Sequence, residues 1–249
     1  MGWIRFLFRF PLVLIYILSG FVLVILLHIL TGREWYLGKH GKQMVCLWMK
    51  GFARIIGLRV HVQGTPHEGL LAANHVSWTD IIAIDSVIAA RFVSKDDILK
   101  WPVLGLLPKW SGTFFLRRGS PAAVNRLNAE IVQALQTGST IAVFPEGTTH
   151  DGIEARKFFS AIFQTGIESG CHVQGVAIRY LRDGKLDEVA PFINGVTFGQ
   201  HVLKILMAPG IDAHLKFCDA FVPVNMDRKV LAARLHKEVD EVLKEGNDM

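Results

Sequence analysis

Between Pro11 and Leu30 the chain runs 20 residues without a charged side chain, with Arg5 and Arg9 before the run and Arg33 after it. At 1.5 Å per residue, a helix of that length spans about 30 Å, the thickness of one hydrocarbon core. A cleaved signal peptide would carry a shorter apolar stretch followed by a small-residue cleavage site. Thr31-Gly32-Arg33-Glu34-Trp35 offers no such site. A retained membrane anchor is therefore expected. Basic residues flank both ends, so the positive-inside rule gives no orientation.

The charge distribution matches. Seven of the 27 Lys and Arg residues precede residue 58, against a single acid, Glu34; the other 20 face 21 acids. The net charge of +5 and the pI of 9.2 thus belong to the N-terminal segment. A nucleic-acid binder carries its basic face on the folded domain. Here the cations adjoin the apolar run, which points to an anionic membrane surface and away from nucleic acid. Residues 34–57 read as a second helix. One face carries Trp35, Tyr36, Trp48, Met49, Phe52 and Ile56; the other carries Lys39, Lys42, Lys50 and Arg54. Such a helix suits the lipid headgroup layer. An amphipathic helix packed on the domain is the alternative.

From residue 58 onward the pattern alternates between strands and helices. Short β-branched or aromatic runs predict strands at Leu58–Val62, Gly69–Ala73, Thr113–Leu116, Thr140–Phe144, Val173–Tyr180, Val202–Met207 and His214–Phe221. Ser120-Pro121 opens a helix with Val124, Leu127, Ile131 and Leu135 on one stripe, ending at Gly138; another runs from Asp227 to about Glu245. The expected architecture is α/β: a single mixed-sheet domain over 58–249 behind a membrane segment over 1–57. Cys46, Cys171 and Cys218 lie far apart with no C-x-x-C, so neither a disulfide framework nor a cysteine zinc site is indicated. That usage fits a reducing compartment. The ten histidines form no H-E-x-x-H and no tight cluster, so no metal site is expected.

Three stretches carry residues capable of chemistry. In Ala73-Asn74-His75-Val76-Ser77-Trp78-Thr79-Asp80 a strand ends, and Ser77-x-x-Asp80 reads as a capping box opening a helix. That turn can bring the Asp80 carboxylate against the His75 imidazole. Such a pair makes a general base, the carboxylate setting the tautomer while the other nitrogen takes a proton. A helix cap with a structural histidine is the alternative. Next, Gly112-Thr113-Phe114-Phe115-Leu116-Arg117-Arg118-Gly119 places two forked cations before a helix start, either a phosphate cradle or a solvated strand end. Finally, the apolar strand 140–144 runs straight into Pro145-Glu146-Gly147-Thr148-Thr149. The carboxyl end of a strand is where α/β domains place ligand-binding loops; an ordinary turn is the alternative.

In this order, Asn74-His75-x-Ser77-x-x-Asp80, Gly112…Phe115-Leu116-Arg117-Arg118, Phe144-Pro145-Glu146-Gly147-Thr148 and the strand 173–178 resemble the glycerophospholipid acyltransferase family. The likeness covers about residues 50–210 and is strongest to bacterial 1-acylglycerol-3-phosphate acyltransferases. It implies transfer of an acyl group from acyl-CoA or acyl carrier protein, as co-substrate, to a lysophospholipid hydroxyl, with no cofactor. It implies His75 as base, Asp80 as its orienter, and Arg117, Arg118, Glu146, Gly147 and Thr148 as acceptor-binding residues. The setting implied is a bacterial inner membrane, with the site on the cytoplasmic side. Two departures stand out: Arg117 replaces the family's usual Asp, and Thr149 replaces its usual Arg. Exchange of one cation between loops, or a different headgroup such as a lyso-ornithine lipid, would account for them.

Two other function classes remain open on the residues alone. A lipid hydrolase would use Ser77, which sits in no G-x-S-x-G elbow. A non-catalytic lipid-binding protein would have no need of the His75/Asp80 pair. The apolar stretch Trp101, Leu104, Leu106, Leu107 and Trp110, interrupted by Pro102 and Pro108, is a candidate acyl groove.

Overall fold

The computed structural model describes residues 1–32, 35–95, 112–116 and 121–246. Helix α1 (Gly2–Thr31) contains the uncharged run, and α2 (Lys39–Ile56) follows a short 3-10 turn at Trp35–Leu37. Beyond them come β1 (Leu58–Gln63), β2 (Leu70–Ala73), α3 (Thr79–Asp85), β3 (Arg91–Lys95), β4 (Phe114–Leu116), α4 (Pro121–Gln136) and β5 (Ile141–Val143). The remainder is α5 (Phe163–Ser169), β6 (Val173–Arg182), β7 (Lys185–Leu186), α6 (Phe198–Met207), β8 (Ile211–Phe217) and α7 (Arg228–Glu245).

One mixed sheet runs β1-β8-β6-β2-β5-β3-β4, with β7 hairpinned onto β6. The β6 pairings with β8 and β7 are antiparallel; the other neighbours are parallel. β2 lies at the centre and is buried on both faces, as a parallel interior strand requires. Alternate residues serve opposite layers. Leu71 and Ala73 join Ile56, Ile84, Ile205 and Leu206 on one face. Leu70 and Ala72 join Ile131, Phe163, Leu231, Leu235 and Val239 on the other.

Two predicted elements differ. Val202–Met207 is not a strand but the second half of α6. Thr197 and Gln200 form a reciprocal capping box at its start, and His201, Ile205 and Leu206 turn inward at helical spacing. A six-residue run with five apolar side chains does not distinguish a buried strand from a helix by itself. The last strand begins at Ile211, just after Pro209-Gly210, and ends at Phe217 instead of Phe221. β3 has no counterpart among the predicted strands.

The N-terminal helices lie against the domain. Arg9 donates to the carbonyls of Leu206 and Ala208, at the C-terminal end of α6, and Arg5 to that of Met207. On α2, Ile56 and Ala53 enter the core, while Trp48 and Phe52 stack in a row with Tyr16 of α1. The apolar face of α2 thus packs in part on the domain and on α1, with Trp48, Met49 and Phe52 half-buried. The outer face of α1 stays bare. Ile4, Leu7, Phe8, Leu12, Ile15, Leu18 and Val22 are all exposed. An apolar surface of that extent marks an interaction surface, for a membrane or another protein. At 30 residues, α1 is long and apolar enough to cross a membrane.

Candidate active site

β2 and β5 are parallel neighbours, with Leu70 opposite Ile141 and Ala72 opposite Val143. Their carboxyl ends therefore release two loops side by side, one carrying His75 and the other Glu146. The Asp80 carboxylate is fully buried and organises the first loop. Its Oδ2 accepts from His75 Nδ1 (2.7 Å), Val76 N (2.8 Å) and Ser77 N (2.9 Å). Its Oδ1 accepts from the Tyr180 hydroxyl at 2.7 Å, and Thr79 Oγ1 donates in turn to Tyr180 Oη. Burial, followed by the adjacent Asp80 charge, raises the Tyr180 pKa well above that of an ordinary phenol, so this donor keeps its proton.

A carboxylate on Nδ1 assigns the imidazole proton to that nitrogen and leaves the Nε2 lone pair for a reactant. The ring is further held by stacking on Phe144, with centroids 4.0 Å apart and planes at 16°. Asn74 exchanges two hydrogen bonds with the backbone of Ile178 and so ties the loop to β6. The expected capping box forms only in part. The Asp80 half is present, but Ser77 Oγ is buried without a partner among the described residues. Ser77 is fully buried, unlike an exposed nucleophile.

Glu146 is also buried. Its Oε2 accepts from His75 N (2.8 Å) and lies 2.8 Å from His150 Nε2; its Oε1 accepts from Arg156 N (2.7 Å). Gly152 N–H points at His150 Nδ1, so the ring's proton sits on Nε2, toward Glu146. Burial opposes protonation of His150, yet the bond and charge of Glu146 outweigh it and raise the His150 pKa. Both carboxylate oxygens are thus engaged within the protein. Glu146 braces the histidine loop from 71 residues away.

Gly147, at φ +71°, makes the turn after it, and Thr148 is exposed beyond. Thr149 faces inward: its hydroxyl donates to Phe192 O. Arg117, Arg118 and the candidate groove from Trp101 to Trp110 lie outside the described residues. Tyr180 and His150 were not among the sequence candidates. The only sequence signal for Tyr180 is a hydroxyl near the end of the long strand 173–182, and His150 has none beyond its adjacency to the loop. Among the described residues no group of three His, Cys, Asp or Glu side chains is placed to hold a metal.

Glu146→Ala should reduce stability by about 3–5 kcal/mol, the cost of removing one partner from a buried charged cluster. It should lower kcat more than it raises KM for the acceptor. Thermal melting and steady-state kinetics check both. A pure KM effect at unchanged stability would make Glu146 a ligand instead of a brace.

A buried carboxylate on the Nδ1 side of a histidine, at the carboxyl end of an α/β sheet, is the arrangement of a general-base site. The comparisons supply the class of protein that carries it. The Acyltransferase family model matches residues 58–179. The lyso-ornithine lipid O-acyltransferase of Pseudomonas aeruginosa is 34% identical over 194 residues, 77% of this chain and 75% of the relative. The 1-acyl-sn-glycerol-3-phosphate acyltransferase of Neisseria meningitidis is 31% identical over 197 residues, 78% and 77% of the two chains. The crystal structure of a 1-acyl-sn-glycerophosphate acyltransferase from Thermotoga maritima superposes with a TM-score of 0.74 at 20% identity, covering 98% of this chain and 95% of that one. The chain belongs to the glycerophospholipid acyltransferase family.

Proposed function

We propose that the protein transfers an acyl group from an acyl thioester directly to the free hydroxyl of a lysolipid, with His75 as general base. The observation that carries this reading is the Nδ1 bond to a buried, fully hydrogen-bonded Asp80, which leaves Nε2 as the basic nitrogen. The acceptor O–H gives its proton to Nε2 as the oxygen attacks the thioester carbonyl. The C–S bond then breaks, and the thiolate leaves with the proton from the imidazolium. Asp80 stabilises the transient imidazolium. Coenzyme A or acyl carrier protein is the leaving thiol. Gly147 and Thr148 border the acceptor, and Arg117 and Arg118 supply further cations. α1 holds the site at the bilayer where the acceptor resides, on the cytoplasmic side of a bacterial inner membrane. The relatives named above are acyltransferases of a lyso-ornithine lipid and of a 1-acylglycerol phosphate, and transfer to a lysolipid hydroxyl serves both.

Direct attack needs no protein nucleophile. Incubation with acyl-CoA alone should therefore leave the intact mass unchanged, and adding a lysolipid should release thiol and diacyl product one to one. A stoichiometric acyl adduct that the acceptor discharges would establish a ping-pong route instead. Free fatty acid as the main product would identify a hydrolase.

A further inference from the structure

Behind the His75 turn, side chains and peptide groups join into a chain of hydrogen bonds that all run in one direction. Trp78 Nε1–H donates to His201 Nδ1 (2.8 Å). His201 Nε2 lies 3.2 Å from Pro191 O and 3.0 Å from Val189 O. The N–H of the same 191–192 peptide, on Phe192, donates to Val76 O (2.9 Å). The N–H of the 76–77 peptide, on Ser77, donates to Asp80 Oδ2 (2.9 Å), the oxygen that also takes His75 Nδ1 (2.7 Å). The chain thus leaves the start of α3 at Trp78, passes through α6 and the segment 189–192, and ends on the carboxylate beside the base.

Its direction is forced. An indole N–H can only donate, so His201 Nδ1 is the acceptor and the ring's proton sits on Nε2. From there the donors are backbone N–H groups, whose sense is fixed. Hydrogen bonds aligned in this way polarise one another, and the last of them meets a charged carboxylate. A protonated His201 would set a second donor against Trp78; burial lowers its pKa and keeps the ring neutral.

The chain is also held rigid. His201 is 1% exposed, and its ring packs with Phe192 (centroids 5.1 Å apart) and Trp78 (6.3 Å). Phe198 braces both partners, at 5.5 Å from Trp78 and 6.5 Å from Phe192. Thr149 Oγ1 pins the other side of Phe192 by donating to its carbonyl. The Val76–Ser77 peptide is therefore clamped at both ends, by Phe192 N–H on its oxygen and by Asp80 on its N–H. Releasing the first end frees the second, and with it the oxygen that orients His75.

We propose that His201 is a positioning residue for the base: through the 191–192 and 76–77 peptides it fixes the Asp80 oxygen that holds His75. The inference rests on the acyl-transfer reading above. It requires a loss of kcat without a loss of substrate affinity, transmitted only through His75.

The test follows thiol release by the full chain in mixed micelles with acyl-CoA and, in parallel, 1-acyl-sn-glycerol-3-phosphate or a lyso-ornithine lipid. His201→Leu should lower kcat about tenfold, the weight of one buried hydrogen bond left unmade, and leave KM for both substrates within about twofold. His201→Gln keeps an amide N–H for the carbonyls and should recover most of the rate. In the His75→Ala background, His201→Leu should cause no further loss, because the group it positions is gone. Trp78→Phe removes only the first donor of the chain and should give the same pattern, so it carries the test if thermal melting shows His201→Leu unfolded. A proportional loss that persists in the His75→Ala background would make His201 a support of the fold alone. A rise in KM at unchanged kcat would make it part of a binding wall, and full kcat in both His201→Leu and Trp78→Phe would show that the turn holds itself; each overturns the positioning role while acyl transfer stands. If the unmodified protein releases no thiol with either acceptor, the transfer reading fails and this inference with it.

Discussion

His75→Ala is expected to lower kcat at least ~100-fold, about 2.7 kcal/mol of transition-state stabilisation, without unfolding the protein. The ring is the only group of that residue near the reaction, and its backbone bonds to Glu146 and His150 survive the substitution. What is lost is the proton acceptor at Nε2 and the stacking on Phe144. Thiol release from acyl-CoA in the presence of a lysolipid measures the effect, and melting temperature measures the fold. Near-normal turnover by a folded His75→Ala protein would remove the general-base mechanism.

Asp80→Asn should do comparable damage by a different route. The carboxylate faces three N–H donors on one oxygen and the Tyr180 hydroxyl on the other. An amide can keep its carbonyl toward the three donors only by turning its NH₂ on Tyr180, which then has to reverse the Thr79–Tyr180 chain. In the other orientation, donor faces donor across the turn. Either way the imidazolium loses its compensating charge, and a loss on the order of 10²–10⁴ in kcat follows. Tyr180→Phe separates the contributions. It removes one of four bonds to the carboxylate and keeps the charge, so its effect should stay below about tenfold. An Asp80→Asn enzyme with full kcat, or a Tyr180→Phe enzyme as damaged as Asp80→Asn, would show that the carboxylate acts otherwise.

The apolar N-terminal helix, the alternating α/β domain and the His75/Asp80 pair could all be read from the chain because each is local. Hydrophobic length, charge clustering and a five-residue turn are properties of neighbouring residues, and the turn leaves the imidazole and carboxylate little choice but to meet. α6 differs from the strand expected there for the same reason: a short, mostly apolar run satisfies both periodicities, and Thr197 and Gln200 reveal the helix only through their bonding. Three features lay beyond local inspection. The packing of α1 and α2 on the domain depends on where the carbonyls of 206–208 emerge. The role of Glu146 depends on the parallel register of β2 and β5, which sets its carboxylate beside His75 N–H. The Tyr180 bond to Asp80 depends on β6 lying against β2. Hydrogen bonds reach about 3 Å, and only the pairing of distant strands brings groups 40 to 100 residues apart within that reach.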